Sequence, residues 1–461
     1  MTIYTGHDLI KLGFAPNKSF PKLLEIANSG TFDSDDSLKE CLSSAYYTAP
    51  PTIPLQDPSQ VTILRNIDSG RNEYEQDNVR SVDRIVANLA VVPTVRQISI
   101  MPDACPAGNM PVGVIASTKS AIHPGFHSAD ICCSMFLTSV DSNHSANEVL
   151  DAVVAHSHFG PGGRPEFPLS ESGELFCAAK ENSFLNDPAI LSAMSAHLGT
   201  QGDGNHFFFV GKKQSTGDLT LVTHHGSRKP GALLFKKGMA AAKRHTAIVS
   251  PATPLHASWL DYDTVEGKSY WDALQIIREW TKLNHTTIHN GVMAALGLDA
   301  DCILDRFWNE HNFVFKDGDM FNHAKGATPV TGNHATDADA DGRTIIPLNM
   351  SEPILIVKNS ASNVSGFAPH GAGRNYSRTK HNKLNAGRST AEIMEDETAN
   401  IDVRFYSGKP DISELPSAYK NAQEVQDQIV RYGLATVVDK IMPLGSVMAG
   451  EQYQPWKKIV K

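Results

Sequence analysis

Polar and apolar positions along the chain change rhythm between two periods. Short runs dominated by β-branched and aromatic residues, VRQISIMPD (95–103), CSMFLTSV (133–140), NHFFFVG (205–211), LTLVTHH (219–225) and EPILIVKN (352–359), predict strands. Longer stretches whose apolar residues recur at a spacing of about 3.6 predict helices over 147–157, 270–297 and 422–441. No composition break, fixed-period repeat or low-complexity tract interrupts the alternation. The expected fold is therefore mixed α/β (α+β), a single large domain over 1–461 with central β-sheets flanked by helices.

Composition narrows the class without naming a chemistry. A chain of 461 residues, 41% hydrophobic and 20% charged, can bury a large core. The opening MTIYTGHDLIKLGF lacks a basic segment followed by a secretory apolar core, and no apolar stretch approaches the roughly 20 residues that span a bilayer. A soluble, cytoplasmic protein with no membrane partner is expected. The 6 cysteines are too sparse for a disulfide framework, and the adjacent Cys132 and Cys133 read as reduced thiols or ligands. A net charge of -9 argues against broad, charge-driven adhesion to nucleic acid, so any such contact is local. The candidate basic stretches are 226–245 and RNYSRTKHNK (374–383).

Motif-like segments differ in weight. DADADG (337–342) imitates the start of a calcium loop, but Leu348 stands where the bidentate glutamate belongs. His285 and His289 are four apart on the long predicted helix, yet HTTIH lacks the glutamate of a zinc protease, and both read as helix-face residues. A stronger constellation is distributed over HSADICCSM (127–135), GDGNHFFFV (202–210), THHGSRKPG (223–231) and NEHNFV (309–314). Each supplies Asp, Cys or His near a predicted strand end or beside Gly or Asn. A thiolate, three imidazoles and a carboxylate can hold two divalent ions through a bridging sulfur, and this mixture suits manganese, zinc, iron or cobalt better than magnesium. In APHGAGRNYSR (368–378), Gly371 and Gly373 allow close backbone approach while Arg374 and Arg378 offer planar forks for phosphate. That pattern describes a phosphate site with a histidine nucleophile at its edge.

From about Met101 to Lys461 these segments, in order, resemble the RtcB family of RNA-splicing ligases. The motifs are MPD with a glycine-containing turn (101–113), Asp130 to Cys133, GNHF (204–207), H-x-G-S-R (224–228), His311-Asn312, KGATP (325–329), HGAGR (370–374), SRTK (377–380), AYK (418–420) and a terminal lysine. Residues 95–461 are the expected catalytic core, and 1–94 match weakly. The resemblance implies a ligase that uses GTP and two manganese ions to join RNA 3′-phosphate or 2′,3′-cyclic phosphate ends to 5′-hydroxyl ends, in RNA repair or tRNA splicing. His370 would carry GMP covalently, with Asp103 orienting its ring. Cys133 would bridge the ions, His206 and His224 completing one site and Asp130 and His311 the other. Asn205, Asn312 and the segment Gly371, Ala372, Gly373 and Arg374 would hold the nucleotide, Tyr419 would stack on its base, and Lys461 would reach the guanine edge. Arg228, Arg374 and Arg378 would meet RNA or triphosphate phosphates, and an archease-type helper is an implied partner.

The sequence also leaves the family pattern. Cys105 stands where a histidine is common, His225 where a serine is, and Phe209 where a guanine-contacting glutamate is expected. With an insertion near HATDADADGR and an extended terminus, these departures describe a divergent paralogue. Alternative readings are a metal-dependent 3′-end nucleotidyl-capping enzyme or cyclic-phosphate hydrolase, and a non-catalytic RNA-binding paralogue.

Overall fold

The computed structural model describes residues 3–46, 51–164, 173–332, 334 and 337–451. Contacts divide the chain into two units, Met1–Ile53 and Pro54–Lys461, at a boundary that composition does not mark. The first is a small helical unit with its own core. Helices Gly6–Lys11, Phe20–Ser29 and Asp35–Ala45 bury Leu9, Leu23, Leu38 and Leu42 completely, and Ser34 caps the last by accepting from the Ser37 amide. All the candidate site residues belong to the second unit.

Each predicted strand is present there, within a few residues of its expected ends: Val95–Cys105, Ser134–Val140, Phe207–Lys213, Leu219–His225 and Ile354–Asn359. They fall in two sheets. The smaller runs in the order Thr62–Arg65, Val95–Cys105, Val112–Lys119, Met320–Lys325, Asn312–Asp317. The larger runs Ile303–Glu310, Ser134–Val140, Leu219–His225, Phe207–Lys213, Ala435–Met448, Ile354–Asn359, Arg343–Ile346, with Asp402–Phe405 parallel to Ala435–Met448. One residue, His311, separates Ile303–Glu310 of the large sheet from Asn312–Asp317 of the small one. That crossing makes it a hinge point between the two sheets.

The predicted helices over 147–157 and 270–297 appear as Ala146–His156 and Val265–Ala295. The third does not hold to its end. Ala422–Arg431 is helical, but Ala435–Met448 is a long strand in the middle of the large sheet. Gly433, at φ +60°, stops the helix, and the β-branched run after it pairs with Ile354–Asn359 and Phe207–Lys213. Near-helical apolar spacing therefore continues across a real boundary.

The long helix Val265–Ala295 turns Tyr270, Leu274, Ile277, Trp280 and Ile288 inward, together with His285 and His289. Those histidines do lie on a helix face, and that face is fully buried. His285 contacts Ser134 Oγ (3.0 Å) and Thr223 Oγ1 (2.7 Å), and His289 contacts Thr223 Oγ1 (2.8 Å) and Thr138 Oγ1 (2.9 Å). Burial holds both pKa values well below the ordinary histidine value, so they are neutral and fasten the helix to the sheet. In DADADG, Asp337 accepts from the Trp308 amide (2.8 Å) and pairs with Lys282 (3.3 Å), so its carboxylate is used by the protein itself.

Candidate metal and nucleotide site

Strand register explains why residues far apart in sequence meet. Ile303–Glu310, Ser134–Val140, Leu219–His225 and Phe207–Lys213 are adjacent and antiparallel, with Ser134 opposite both Glu310 and His225, and Phe207 opposite His224. Cys133 and His206 immediately precede two of these strands, His224 nearly ends the third, and His311 follows the fourth. All four therefore emerge at one edge of the sheet. Asp130 reaches them from the turn before Cys133, where Ser128 and Cys132 adopt positive φ values of 81° and 58°. Gly226, just after Leu219–His225, lies against that turn, since a Cβ there would collide with the Asp130 carboxylate.

The donor atoms form two groups that share Cys133: Cys133, His224 and His311, and Asp130, Cys133 and His206, each within 4.8 Å. Cys133 is the donor common to both groups, and the terminal donors are grouped differently from the pairs that the resemblance implies. Cys133 Sγ lies 3.2 Å from His224 Nε2 and 3.7 Å from His206 Nε2, and His206 Nε2 lies 3.2 Å from Asp130 Oδ2.

The chemistry of this set fits cations. His224 Nδ1 donates to the Asn205 carbonyl (3.0 Å), which can only accept, so its Nε2 carries a lone pair. That lone pair faces Cys133 Sγ and, at 3.1 Å, His311 Nε2. Burial and then the neighbouring His206 lower the His224 pKa to about 3, and burial and neighbouring histidines hold His311 well below its ordinary value. Burial, followed by the Asp130 charge, pushes the Cys133 thiol well up. Neutral imidazoles with converging lone pairs around a thiol suit bound cations, which would also favour the thiolate.

His370 stands beside this cluster, its ring 4.8 Å from that of His311. Its Nδ1 lies 2.6 Å from Oδ2 of Asp103, a fully buried carboxylate that also accepts from the His370 amide (3.3 Å). Asp103 comes from the far part of Val95–Cys105, against which the short strand Phe367–Pro369, just before His370, packs. The glycine after it is structural: at Gly373 (φ +73°) any Cβ would strike the Asp103 carbonyl oxygen.

A cavity of about 590 Å³ joins these parts. Asp130, Cys133, His224, His311 and His370 line it, as do Asn205, Phe209, Asn312, Gly371, Ala372, Gly373, Arg374, Arg378 and Tyr419. Asn312 Oδ1 accepts from the Gly326 amide (2.8 Å), which leaves its amide NH2 as the donor for an anion. Arg228 is absent from the lining. It is half-buried at φ +54° and donates to Thr200 Oγ1 (3.2 Å) and the Gly160 carbonyl (2.8 Å). Lys461 lies outside the described residues.

Sequence reading missed Glu414. Its side chain is only 1% exposed and lines the same cavity, receiving Arg374, Arg378 and the Tyr419 hydroxyl. The forks of Arg374 and Arg378 are thus already engaged by a carboxylate, and Arg374 also lies 5.1 Å from the Tyr419 ring centre. No local spacing signals this, because the two arginines precede Glu414 by 40 and 36 residues. Ser446 and Met448 were missed too. They stand opposite Phe209 and Phe207 in the large sheet and line the cavity with them, and Ser446 Oγ is buried without a partner among the described residues.

Known proteins resemble this chain over most of its length. The family described as tRNA-splicing ligase RtcB matches residues 169–449, more than half of the chain. An RNA-splicing ligase RtcB of Escherichia coli strain K12 is 27% identical over 374 residues, covering 73% of this chain and 87% of that protein. The tRNA-splicing ligase RtcB of Archaeoglobus fulgidus is 25% identical over 435 residues, covering 78% and 89%. RNA-splicing ligase RtcB homolog 2 of Entamoeba dispar is 21% identical over 449 residues, covering 81% and 84%. The family match begins after Asp103, Asp130 and Cys133 and stops at Ala449, before Lys461; it is the fold that joins the first three to the matched His206, His224, His311 and His370. The chain belongs to the RtcB family.

Proposed function

We propose that the protein is an RNA ligase that joins a 3′-phosphate or 2′,3′-cyclic phosphate end to a 5′-hydroxyl end, with GTP as nucleotide donor and His370 as the covalent carrier of GMP. The observation that carries this reading is His370, fixed by Asp103 inside the cavity and next to the five metal-type donors. Names of the relatives, RNA-splicing and tRNA-splicing ligases, support the same reaction class.

Asp103 can only accept, so the His370 tautomer it selects carries the proton on Nδ1 and a lone pair on Nε2. Nε2 attacks the α-phosphorus of GTP, a nitrogen–phosphorus bond forms and pyrophosphate leaves. The ring then bears positive charge, which the buried Asp103 carboxylate offsets. A 2′,3′-cyclic end is first opened by water, which adds to phosphorus as the bond to the 2′-oxygen breaks and that oxygen takes a proton. An oxygen of the RNA 3′-phosphate then attacks the same α-phosphorus, the bond to His370 breaks, and the RNA ends in a 3′-diphosphate-linked guanosine. The 5′-hydroxyl attacks the RNA phosphorus, loses its proton and expels GMP. One difficult substitution is thereby split into transfers with good leaving groups. Two manganese ions held by Asp130, Cys133, His206, His224 and His311 would supply charge neutralisation and polarise phosphoryl oxygens. Asn205 and the Asn312 amide would meet phosphate oxygens.

The reaction is tested with purified protein, manganese, GTP and a pair of RNA fragments bearing 3′-phosphate and 5′-hydroxyl ends. A joined product that requires both GTP and metal is expected. Nucleotide attached to the RNA 3′ end without joining would instead favour the capping reading.

A further inference from the structure

The cavity has a rim that neither His370 nor the metal donors use. Tyr74, near the start of helix Glu73–Ala90, meets Tyr376 there with ring centres 4.6 Å apart and planes at 32°. Lys380, in helix Arg378–Leu384, holds its ammonium 3.5 Å from the centre of the Tyr74 ring and 5.7 Å from that of Tyr376. Both tyrosines are half-buried and line the cavity together with Asn78 and Arg378. The backbone between is braced, since Asn78 Nδ2 donates to the Asn375 carbonyl (2.7 Å) and Arg374 Nε to the Tyr376 carbonyl (3.2 Å).

We propose that this rim is a stacking subsite for a nucleobase of the single-stranded RNA whose end enters the cavity, with Lys380 serving the adjacent phosphate. The inference rests on RNA being the substrate and adds where its chain is gripped. Flat π faces accept any base, whereas the ammonium already resting on them marks an electron-rich surface. A partly exposed cation–π contact is worth a factor of about two to five, and a base stacked on an aromatic side chain about five to a hundred or more. A nucleotide therefore gains by taking the ring face and giving the displaced ammonium a phosphate. The chain as a whole is acidic, yet Arg378, Lys380 and Lys383 are concentrated on this one short helix beside the cavity, which favours a polyanion over an apolar partner.

The test is the affinity of the full-length protein for a fluorescent six-nucleotide RNA ending in a 3′-phosphate, beside an otherwise identical RNA with abasic positions. Wild type should bind the intact RNA at least about fivefold tighter than the abasic one. Tyr74→Ala and Tyr376→Ala should lose that preference, while Tyr74→Phe and Tyr376→Phe keep it. Lys380→Gln should lower the salt dependence by about one phosphate contact. Equal binding of intact and abasic RNA by wild type, or a preference that survives both alanine changes, overturns the subsite. Should the alanine variants fail to fold, Tyr74→Leu and Tyr376→Leu, which keep bulk but not a π face, replace them, and a preference that survives both overturns the subsite. Failure of the ligase reading shows separately, as absence of label from α-labelled GTP on the protein.

Discussion

Asp103 and His370, 267 residues apart in the chain, share a hydrogen bond of 2.6 Å between Oδ2 and Nδ1 inside the cavity. A buried carboxylate in that position sets the tautomer and balances the charge that appears when Nε2 forms a bond. Asp103→Asn keeps the shape but removes the charge and can present a donor to the ring. Self-nucleotidylation should slow by on the order of a hundredfold or more, with metal content unchanged. A rate near wild type would reduce Asp103 to a packing residue.

Cys133 belongs to both groups of donor atoms, whereas His224 and Asp130 each belong to one. Cys133→Ala should therefore weaken both ions, and His224→Ala or Asp130→Ala mainly one, because a lost bridge removes a bond and a negative charge from both cations. Metal analysis of the purified variants reads this directly. Two tightly held ions in Cys133→Ala would contradict the bridge.

Phe209 is 2% exposed and lies opposite Val222 and Ser446 on neighbouring strands, surroundings without a formal charge. A carboxylate there could accept from guanine N1 and N2, groups that adenine does not offer, whereas a phenyl ring can only stack or fill space. Wild type should separate GTP from ATP weakly in self-nucleotidylation, and Phe209→Glu should raise the ratio about tenfold or more, provided that circular dichroism shows the buried carboxylate tolerated. Strong rejection of ATP by wild type would mean that guanine is read elsewhere.

Glu414 is buried between Arg374, Arg378 and Tyr419. Removing one member of such a group leaves the others uncompensated, so Glu414→Ala should lower unfolding stability by about 3–5 kcal/mol. Denaturant titration measures it. A change within about 0.5 kcal/mol, the range of ordinary surface substitutions, would show that the arginines find water or another anion at no cost.

Much of this site was legible before any coordinates. Strands could be read from β-branched runs, and Asp130, Cys133, His206 and His224 stand out because each lies at or beside the end of such a run, whereas His311 is marked only by the asparagine beside it. Register then gathers them, which sequence suggests only through order and motif. The segment after Ala422 misleads because apolar spacing persists through Gly433, where only the positive φ announces the change to a strand. Glu414 and Tyr74 carried no signal, since their meaning comes from partners distant in sequence: Arg374 and Arg378 for the first, Tyr376 for the second. Arg228, which the resemblance places at an RNA phosphate, spends Nε on Thr200 and Nη2 on Gly160, partners that its motif does not announce.

The most direct test of the account is the fate of α-labelled GTP incubated with manganese and either wild type or His370→Ala. Acid-labile label on wild type, none on His370→Ala, and similar metal content in both are the predicted result, since in the proposed reaction His370 attacks phosphorus and it is not among the candidate metal donors. Label on His370→Ala equal to wild type, or no label on metal-loaded wild type, would contradict it.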